Sequence, residues 1–330
     1  MTSTQIAAPV TIRNVLYLTD FSPSSEAALP FAIAVARKYA ASVEVLHVLT
    51  PVIPESCSDA IKADEALAEV EIERVRPRIV GIRCGTTLVR NMGLWEAIER
   101  AIMEHHIDLI VAGTHGRTGV PKLLLGSVAE EVFRRSPVPV LTVGPHVREN
   151  TANGTRFNQV IFATDFSAES EAAAAYAVSL AQENSAHLIV LNVMHKSEPR
   201  NPAEVKAFEA SVAWTIERLY QSVPGDAALC NPAEIVVEYG EPADRIVEVA
   251  RERGADVIVL GVRNATGHLG AATHLERATA HKVVIHSPCP VLTVRPRKLA
   301  GSLRKGTNND ICGKAHTPAG TCKTGLQHLR

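Results

Sequence analysis

The residues that could do chemistry in this chain gather in two short stretches. One is Gly113-Thr-His-Gly116-Arg-Thr-Gly119, with Gly126-Ser127 after nine further residues beyond Gly116. Glycine admits positive φ and lets the main chain approach a ligand closely. Ser127 suits a helix cap, and its hydroxyl could also meet an anion. The N–H groups of Ser127, Val128 and Ala129 would then point at that anion, a placement worth about 0.3–1 kcal/mol, up to about 2 when partly buried. Arg117 and Lys122 add positive charge along the loop. Such a cradle suits a polyphosphate. The other stretch is Thr19-Asp20-Phe21-Ser22. Asp20 is mismatched to phosphate by charge and suits ribose hydroxyls or a polar base edge. No nucleophile with an evident base is visible, so no catalytic residue is assigned, and any hydrolysis should be slow.

Both stretches must sit at the ends of strands. Apolar runs fall at about 14–18, 43–49, 108–112 and 138–143, with a weaker strand near 86–90. Helical patterns lie between them. Ser22-Pro23 opens one, with Ala28, Phe31, Ala32 and Val35 at helical spacing. A charged helix follows at about 60–76, read as a solvated face. Trp95, Ile98 and Ile102 mark the next, and about 127–135 the last. Apolar strands separated by helices indicate an α/β fold with a parallel sheet covered on both faces. Ligands in such a sheet bind past the carboxyl ends of the strands, where the strand order reverses. If strand one neighbours strand four, the two stretches share one crevice.

The pattern occurs twice. Asn14-Val-Leu-Tyr-Leu-Thr-Asp-Phe-Ser22 returns as Gln159-Val-Ile-Phe-Ala-Thr-Asp-Phe-Ser167, and Val43–Leu49 returns as His187–Val193. Ile107–Gly113 returns as Ala255–Gly261, and Ser136–Val143 as Ser287–Val294. Four matches in one order, about 145 to 151 residues apart, mean one unit used twice. The expected division is a first domain at 1–144, a linker at 145–156, a second domain at 157–295 and a basic, disordered tail at 296–330. The second unit keeps Thr164-Asp165-Phe166-Ser167. It has Asn264 where the second glycine should be, and Thr273–Ala278 offers no Gly-Ser. One phosphate cradle per chain is therefore expected.

Composition narrows the classes. The net charge is −1, which does not favour a broad basic face for nucleic acid. No apolar run approaches the roughly 18–20 residues of a membrane helix. Six cysteines show no Cys-x-x-Cys pair, and reduced cytosolic thiols are the simplest reading. Neither Gly-x-Gly-x-x-Gly after a strand nor Gly-x-x-x-x-Gly-Lys-Ser/Thr occurs.

With Gly113, Gly116, Gly126 and Ser127 at the spacing Gly-x2-Gly-x9-Gly-Ser after strand four, and Asp20 after strand one, the chain resembles the universal stress proteins in their tandem form. The resemblance covers about 12–144 and 157–295. It implies two Rossmann-like (adenine nucleotide alpha hydrolase-like) domains, each a five-stranded parallel sheet of order 3-2-1-4-5. It implies ATP, with Mg2+ on its phosphates, held by Thr19, Asp20, Val48, Gly113, His115, Gly116, Gly126, Ser127 and Val128. The family pairs its final strands between two units, which implies an internal pseudo-dimer and is compatible with a further homodimer. A cytoplasmic ATP-binding regulator of the stress response is the leading expectation, with a protein partner reading the nucleotide-ordered surface. A slow ATPase or adenylate-using enzyme, and a structural dimerisation module without nucleotide, are the alternatives.

Each signal also has a plainer meaning. Asp20 and Asp165 could be helix N-caps, favoured for Asp165. His115 could only fill its loop. His47, inside a strand, reads as a hydrogen-bonded core residue. His105-His106 ends a helix, where a cation suits the dipole. Cys312, His316, Cys322 and His328 are spaced too irregularly for a favoured zinc site.

Overall fold

The computed structural model describes residues 10–49, 58–90, 92–114, 125–147, 157–263 and 271–296. The basic tail, the linker from residue 148 and the segment 115–124 lie outside the described residues. So do the four tail residues weighed for zinc.

The first repeat runs β1 (Asn14–Leu18), α1 (Pro23–Tyr39), β2 (Ser42–Val48), α2 (Ser58–Val75), β3 (Cys84–Val89), α3 (Leu94–Glu104), β4 (Leu109–Gly113), α4 (Ser127–Arg135) and β5 (Val140–Val143). The second runs β6 (Gln159–Ala163), α5 (Ala168–Asn184), β7 (His187–Met194), α6 (Pro202–Gln221), β8 (Glu234–Tyr239), α7 (Pro242–Glu252), β9 (Val257–Gly261), α8 (Ala271–His286) and β10 (Val291–Val294). All ten strands form one sheet in the order β3-β2-β1-β4-β5-β10-β9-β6-β7-β8. Each half thus shows the order 3-2-1-4-5, parallel within itself. The join is antiparallel, with Leu292 opposite Leu141. Both repeats belong to one compact unit.

Alternation along β1 sorts the core. Val15 and Tyr17 lie on the sheet face whose apolar cluster also holds residues of α1, α2, α5 and α6, while Leu16 and Leu18 join the cluster that holds α3 and Val132 of α4. The charged helix α2 is more than a solvated face, because Ala68, Ile72 and Val75 are buried along one stripe. Its spacing of three and four is what a half-buried helix needs. On the first face an apolar seam lined by Val35, Leu141, Tyr176, Leu180 and Leu292 lies where the repeats meet. On the second face Leu125, just before α4, and Ala129 and Phe133 of α4 join the same cluster as Val283 and Val284 of α8.

Local signals repeat with the topology. Ser22 caps α1 by accepting from the Ser25 N–H at 3.2 Å, with Pro23 in the first turn. Ser167 caps α5 in the same way at 3.3 Å. Asp108 accepts from the N–H groups of Arg13 and Asn14, at 2.8 and 3.2 Å, and pins the start of β1 beside β4. Asp256 does the same for Asn158 and Gln159 at 2.7 and 2.9 Å. One sequence alignment is corrected by register. Asn14 pairs with Ser42 and Gln159 with His187, so Ser42, not Val43, corresponds to His187. A one-residue slip would put β7's core side chains on the wrong face.

Tyr17 is fully buried in β1 and donates its hydroxyl to the Ser25 carbonyl at 2.9 Å. Burial pushes its phenol well above the ordinary range. The second repeat has Phe162 at the matching position, also buried. Tyr17→Phe should therefore leave the circular dichroism unchanged and lower the unfolding free energy by about 0.5–1.5 kcal/mol in urea. No loss would show that the Ser25 carbonyl finds another donor.

Candidate functional site

The site lies at the carboxyl edge of β2, β1 and β4. Since β1 is paired with both neighbours, Thr19 and Asp20 leave the sheet between Val48 and Gly113. The turn after β1 is held by its own side chains. Thr19 Oγ1 accepts from the Phe21 N–H, and Asp20 Oδ1 from the Ser22 N–H, both at 3.0 Å. These two clamps hold Phe21 at φ 58°. A bulky residue with left-handed backbone costs about 1–3 kcal/mol and persists only where its surroundings over-determine it. Asp20 is not the helix cap. It stands two residues before the cap, Ser22, and bonds the cap's own N–H.

His47 is 4% exposed and sits under this turn. Its Nδ1 donates to the Thr19 carbonyl at 2.7 Å, and its ring lies 4.5 Å from that of Phe21. The core reading of His47 holds. In the second repeat Asn192 takes its place, with Nδ2 donating to the Thr164 carbonyl at 2.8 Å. Both residues secure the carbonyl just past the first strand of their repeat.

Gly113 serves the fold. A Cβ on it would lie 2.4 Å from the Ser24 carbonyl oxygen and 2.7 Å from its carbon, so the first turn of α1 rests directly on β4. Gly261 carries the same contact, with a Cβ meeting Glu169 and Ser170 backbone atoms at 2.4 Å. Gly113 thus has a packing reason beside the expected approach to a ligand. Its bare Cα is required by helix packing in both repeats, phosphate cradle or not.

The loop after β4 is closed at its feet. Thr114 is fully buried, donates to the Val143 carbonyl at 3.0 Å, and accepts from the Gly126 N–H at 2.7 Å. His115, Gly116 and Arg117 lie between these feet, outside the described residues. Gly126, not Ser127, is the N-cap of α4, and Ser127 is the first helical residue. Among the described residues no side chain caps this helix. Its first intrahelical bond runs from the Glu130 N–H to the Gly126 carbonyl at 2.8 Å. The N–H groups of Ser127, Val128 and Ala129 therefore precede the helical ladder. Helix α1 differs, because Ser22 Oγ fills its start. Val48 and Val128 are half-buried against one cluster that includes Leu18 and Leu46, an apolar floor beside the open helix start.

The second repeat keeps the turn but not the glycine-capped helix start. Phe166 has φ 61°, with Thr164 Oγ1 and Asp165 Oδ1 each accepting at 3.0 Å as in the first repeat. Asp165 is likewise not the cap, which is Ser167. Its Oδ1 also accepts from the Ser167 and Ser170 hydroxyls, both at 2.6 Å. Desolvation raises this carboxyl, and the hydrogen bonds from Ser167 and Ser170 outweigh it, leaving it below the usual range. Arg218 of α6 lies 5.4 Å from the Phe166 ring and 5.6 Å from the Trp214 ring. The matched final strands place Arg277 and Ala278 where the first repeat has Gly126 and Ser127. Both lie inside α8, which starts at Ala271, so their N–H groups belong to the helical ladder rather than to an open start. Sequence reading missed this longer helix, and also the Trp214–Arg218 stack. An exposed tryptophan four residues before an arginine on one helix was the available signal.

Two outcomes test these assignments. Gly113→Ala and Gly261→Ala should each destabilise the chain by about 1–3 kcal/mol in denaturant unfolding, the range for overpacking. A neutral Gly113→Ala would return that glycine to a ligand role. Asp165 contributes stability that is present above the unfolded carboxylate range and is lost as pH falls through its lowered folded value. Asp165→Asn should therefore lose less stability than wild type between about pH 5 and 2 in urea titrations. Parallel pH profiles for the two proteins would rule this out.

The universal stress protein family model matches residues 11–144 and again 156–295. A universal stress protein of Mycolicibacterium smegmatis is 25% identical over 299 residues, covering 86% of this chain and 97% of the relative. The crystal structure of a universal stress protein from Archaeoglobus fulgidus aligns with TM-score 0.60 at 23% identity, over 86% of this chain and 98% of that one. A universal stress protein solved in complex with cAMP is 26% identical, with TM-score 0.34 over 42% of this chain and 97% of its own. Two matches in tandem, on two copies of one α/β topology, establish that this chain belongs to the universal stress protein family.

Proposed function

We propose that the chain is an ATP-binding regulator of the stress response, with one nucleotide site, in the first repeat. The observation that carries the reading is the start of α4. A glycine occupies the cap, no side chain among the described residues closes it, and three N–H groups stand ahead of the helical ladder. Three such donors suit phosphate oxygens, and the helix dipole favours negative charge there. ATP would bring Mg2+ on its phosphates. Asp20 would accept from ribose hydroxyls, and Val48 with Val128 would floor the base. Thr19, Gly113, His115 and Gly116 complete the set carried over from the family pattern, and Arg117 adds positive charge along the loop.

On this reading residues 1–144 form the nucleotide-binding domain. Residues 157–295 form a structural domain, and the position of Arg277 and Ala278 inside α8, where the first repeat has a helix start, supports that division. Binding would order loop 114–126 and present a changed surface to a protein partner. A cytoplasmic location suits the free thiols of Cys84, Cys230 and Cys289. No helix among the described residues is long and apolar enough to cross a membrane.

Titration calorimetry of the full chain with ATP and Mg2+ tests the reading. About one site per chain is expected, and Gly116→Val should weaken binding at least about tenfold, or 1.4 kcal/mol. Absence of binding by the wild-type chain removes the function. Two equal sites per chain would remove the division of labour between the repeats.

A further inference from the structure

We infer that Arg295, which belongs to the second repeat, is a positioning residue for the anion cradle of the first. The inference rests on the nucleotide reading of the α4 start and adds to it a dependence on the other half of the chain. Helix α4 is shared between the repeats. Val132 faces the first repeat's own core, while Leu125, Ala129 and Phe133 sit in the cluster built by α7 and α8.

Arg295 leaves the end of β10 and is 8% exposed. Its guanidinium donates to the Phe133 carbonyl and, at 3.2 Å, to the Ser136 carbonyl. Its Nε donates to the Arg263 carbonyl at 3.2 Å, and its charge lies 6.0 Å from the centre of the Phe133 ring. The last carbonyls of a helix have no partner within it, and a fixed fork of donors answers them. The positive charge also meets the negative end of the helix dipole. Helix α4 has only nine residues, a rod of about 13 Å at 1.5 Å per residue. Holding its C-terminus against the second repeat sets the tilt of the whole rod. The tilt decides where the N–H groups of Ser127, Val128 and Ala129 stand.

The repeats are unequal at this point. Both final strands read Val-Leu-Thr-Val, so Gly144 corresponds to Arg295. A Cβ on Gly144 would already lie 3.0 Å from the Val284 carbonyl of α8. The C-terminus of α8 is met by bare backbone, and that of α4 by a guanidinium. The helix held by arginine is the one with the open, glycine-capped start. The helix met by glycine has no such start at the matching residues.

The test uses the full chain with Arg295→Met, which keeps the apolar stem and removes the fork, and Arg295→Lys, which keeps the charge. ATP affinity is read by calorimetry, and amide hydrogen exchange of α4 is read without nucleotide. Arg295→Met should bind ATP about tenfold more weakly, Arg295→Lys less so, and α4 amides should exchange faster in both while those of α1 do not change. Leu188→Ala, in the buried strand β7, supplies a control of lowered thermal midpoint and should bind ATP within about twofold of wild type. An Arg295→Met affinity within twofold of wild type overturns the inference, as does an equal loss in the Leu188→Ala control. If the wild-type chain binds no ATP, the nucleotide reading falls by itself. The exchange measurement then stands alone, and unchanged α4 exchange in Arg295→Met ends the positioning role as well.

Discussion

Everything in this molecule is organised about the antiparallel pairing of β5 with β10. A five-stranded parallel sheet of order 3-2-1-4-5 would otherwise end on an unpaired strand with apolar side chains on both faces, an invitation to uncontrolled association. Each repeat satisfies the exposed edge of the other. The join extends well beyond hydrogen bonds. It places α1 beside α5 over an apolar seam and drives α4 into the second repeat's core. The outer edges are left to β3 and β8, whose residues are only half-buried. On β8, Glu234 and Glu238 are paired with Arg253 and Arg245, and charge at a strand edge opposes further pairing.

Within that frame the two crevices began from one plan and have moved apart. The strained turn is common to both, with Phe21 and Phe166 in the left-handed region and the same two side-chain clamps. A strain of that size kept twice in one chain says that the turn is needed for more than connection. It directs a carboxylate to the rim of the sheet while the following serine caps the next helix. What differs is the other lip. In the first repeat a glycine caps the helix start. In the second the helix begins earlier, and the aromatic pair Phe166–Trp214 with Arg218 covers the turn.

Much of the architecture could be read from residue order alone. Apolar runs of five to seven residues, Ser-Pro at a helix start and the fourfold internal match gave strand and helix positions and the duplication, and the family resemblance supplied the strand order. Errors arose where a residue's role depends on something distant in the chain. The spacing of Gly113 was visible, but its close backbone contact with Ser24, about ninety residues away in sequence, was not. Assigning the cap to Ser127 rather than Gly126 was a one-residue boundary error of the kind local pattern cannot settle. The alignment of His187 slipped by one because a run of apolar residues has no internal landmark; only pairing register supplies one. Arg295 belonged to no pattern at all. A single arginine past a strand looks like a surface charge until its partners, more than 150 residues upstream, are in place.

The inequality between Gly144 and Arg295 has a consequence for how such molecules diverge. In a dimer of identical subunits, any residue placed at that junction appears on both sides of the axis at once, and the two helix ends must accept the same side chain. Fusing the copies into one polypeptide breaks that symmetry. Mutation can then act on one side alone, and the halves remain together at any dilution because their effective concentration is set by the tether. A duplicated sheet of this sort can specialise one half while the other becomes its permanent mounting.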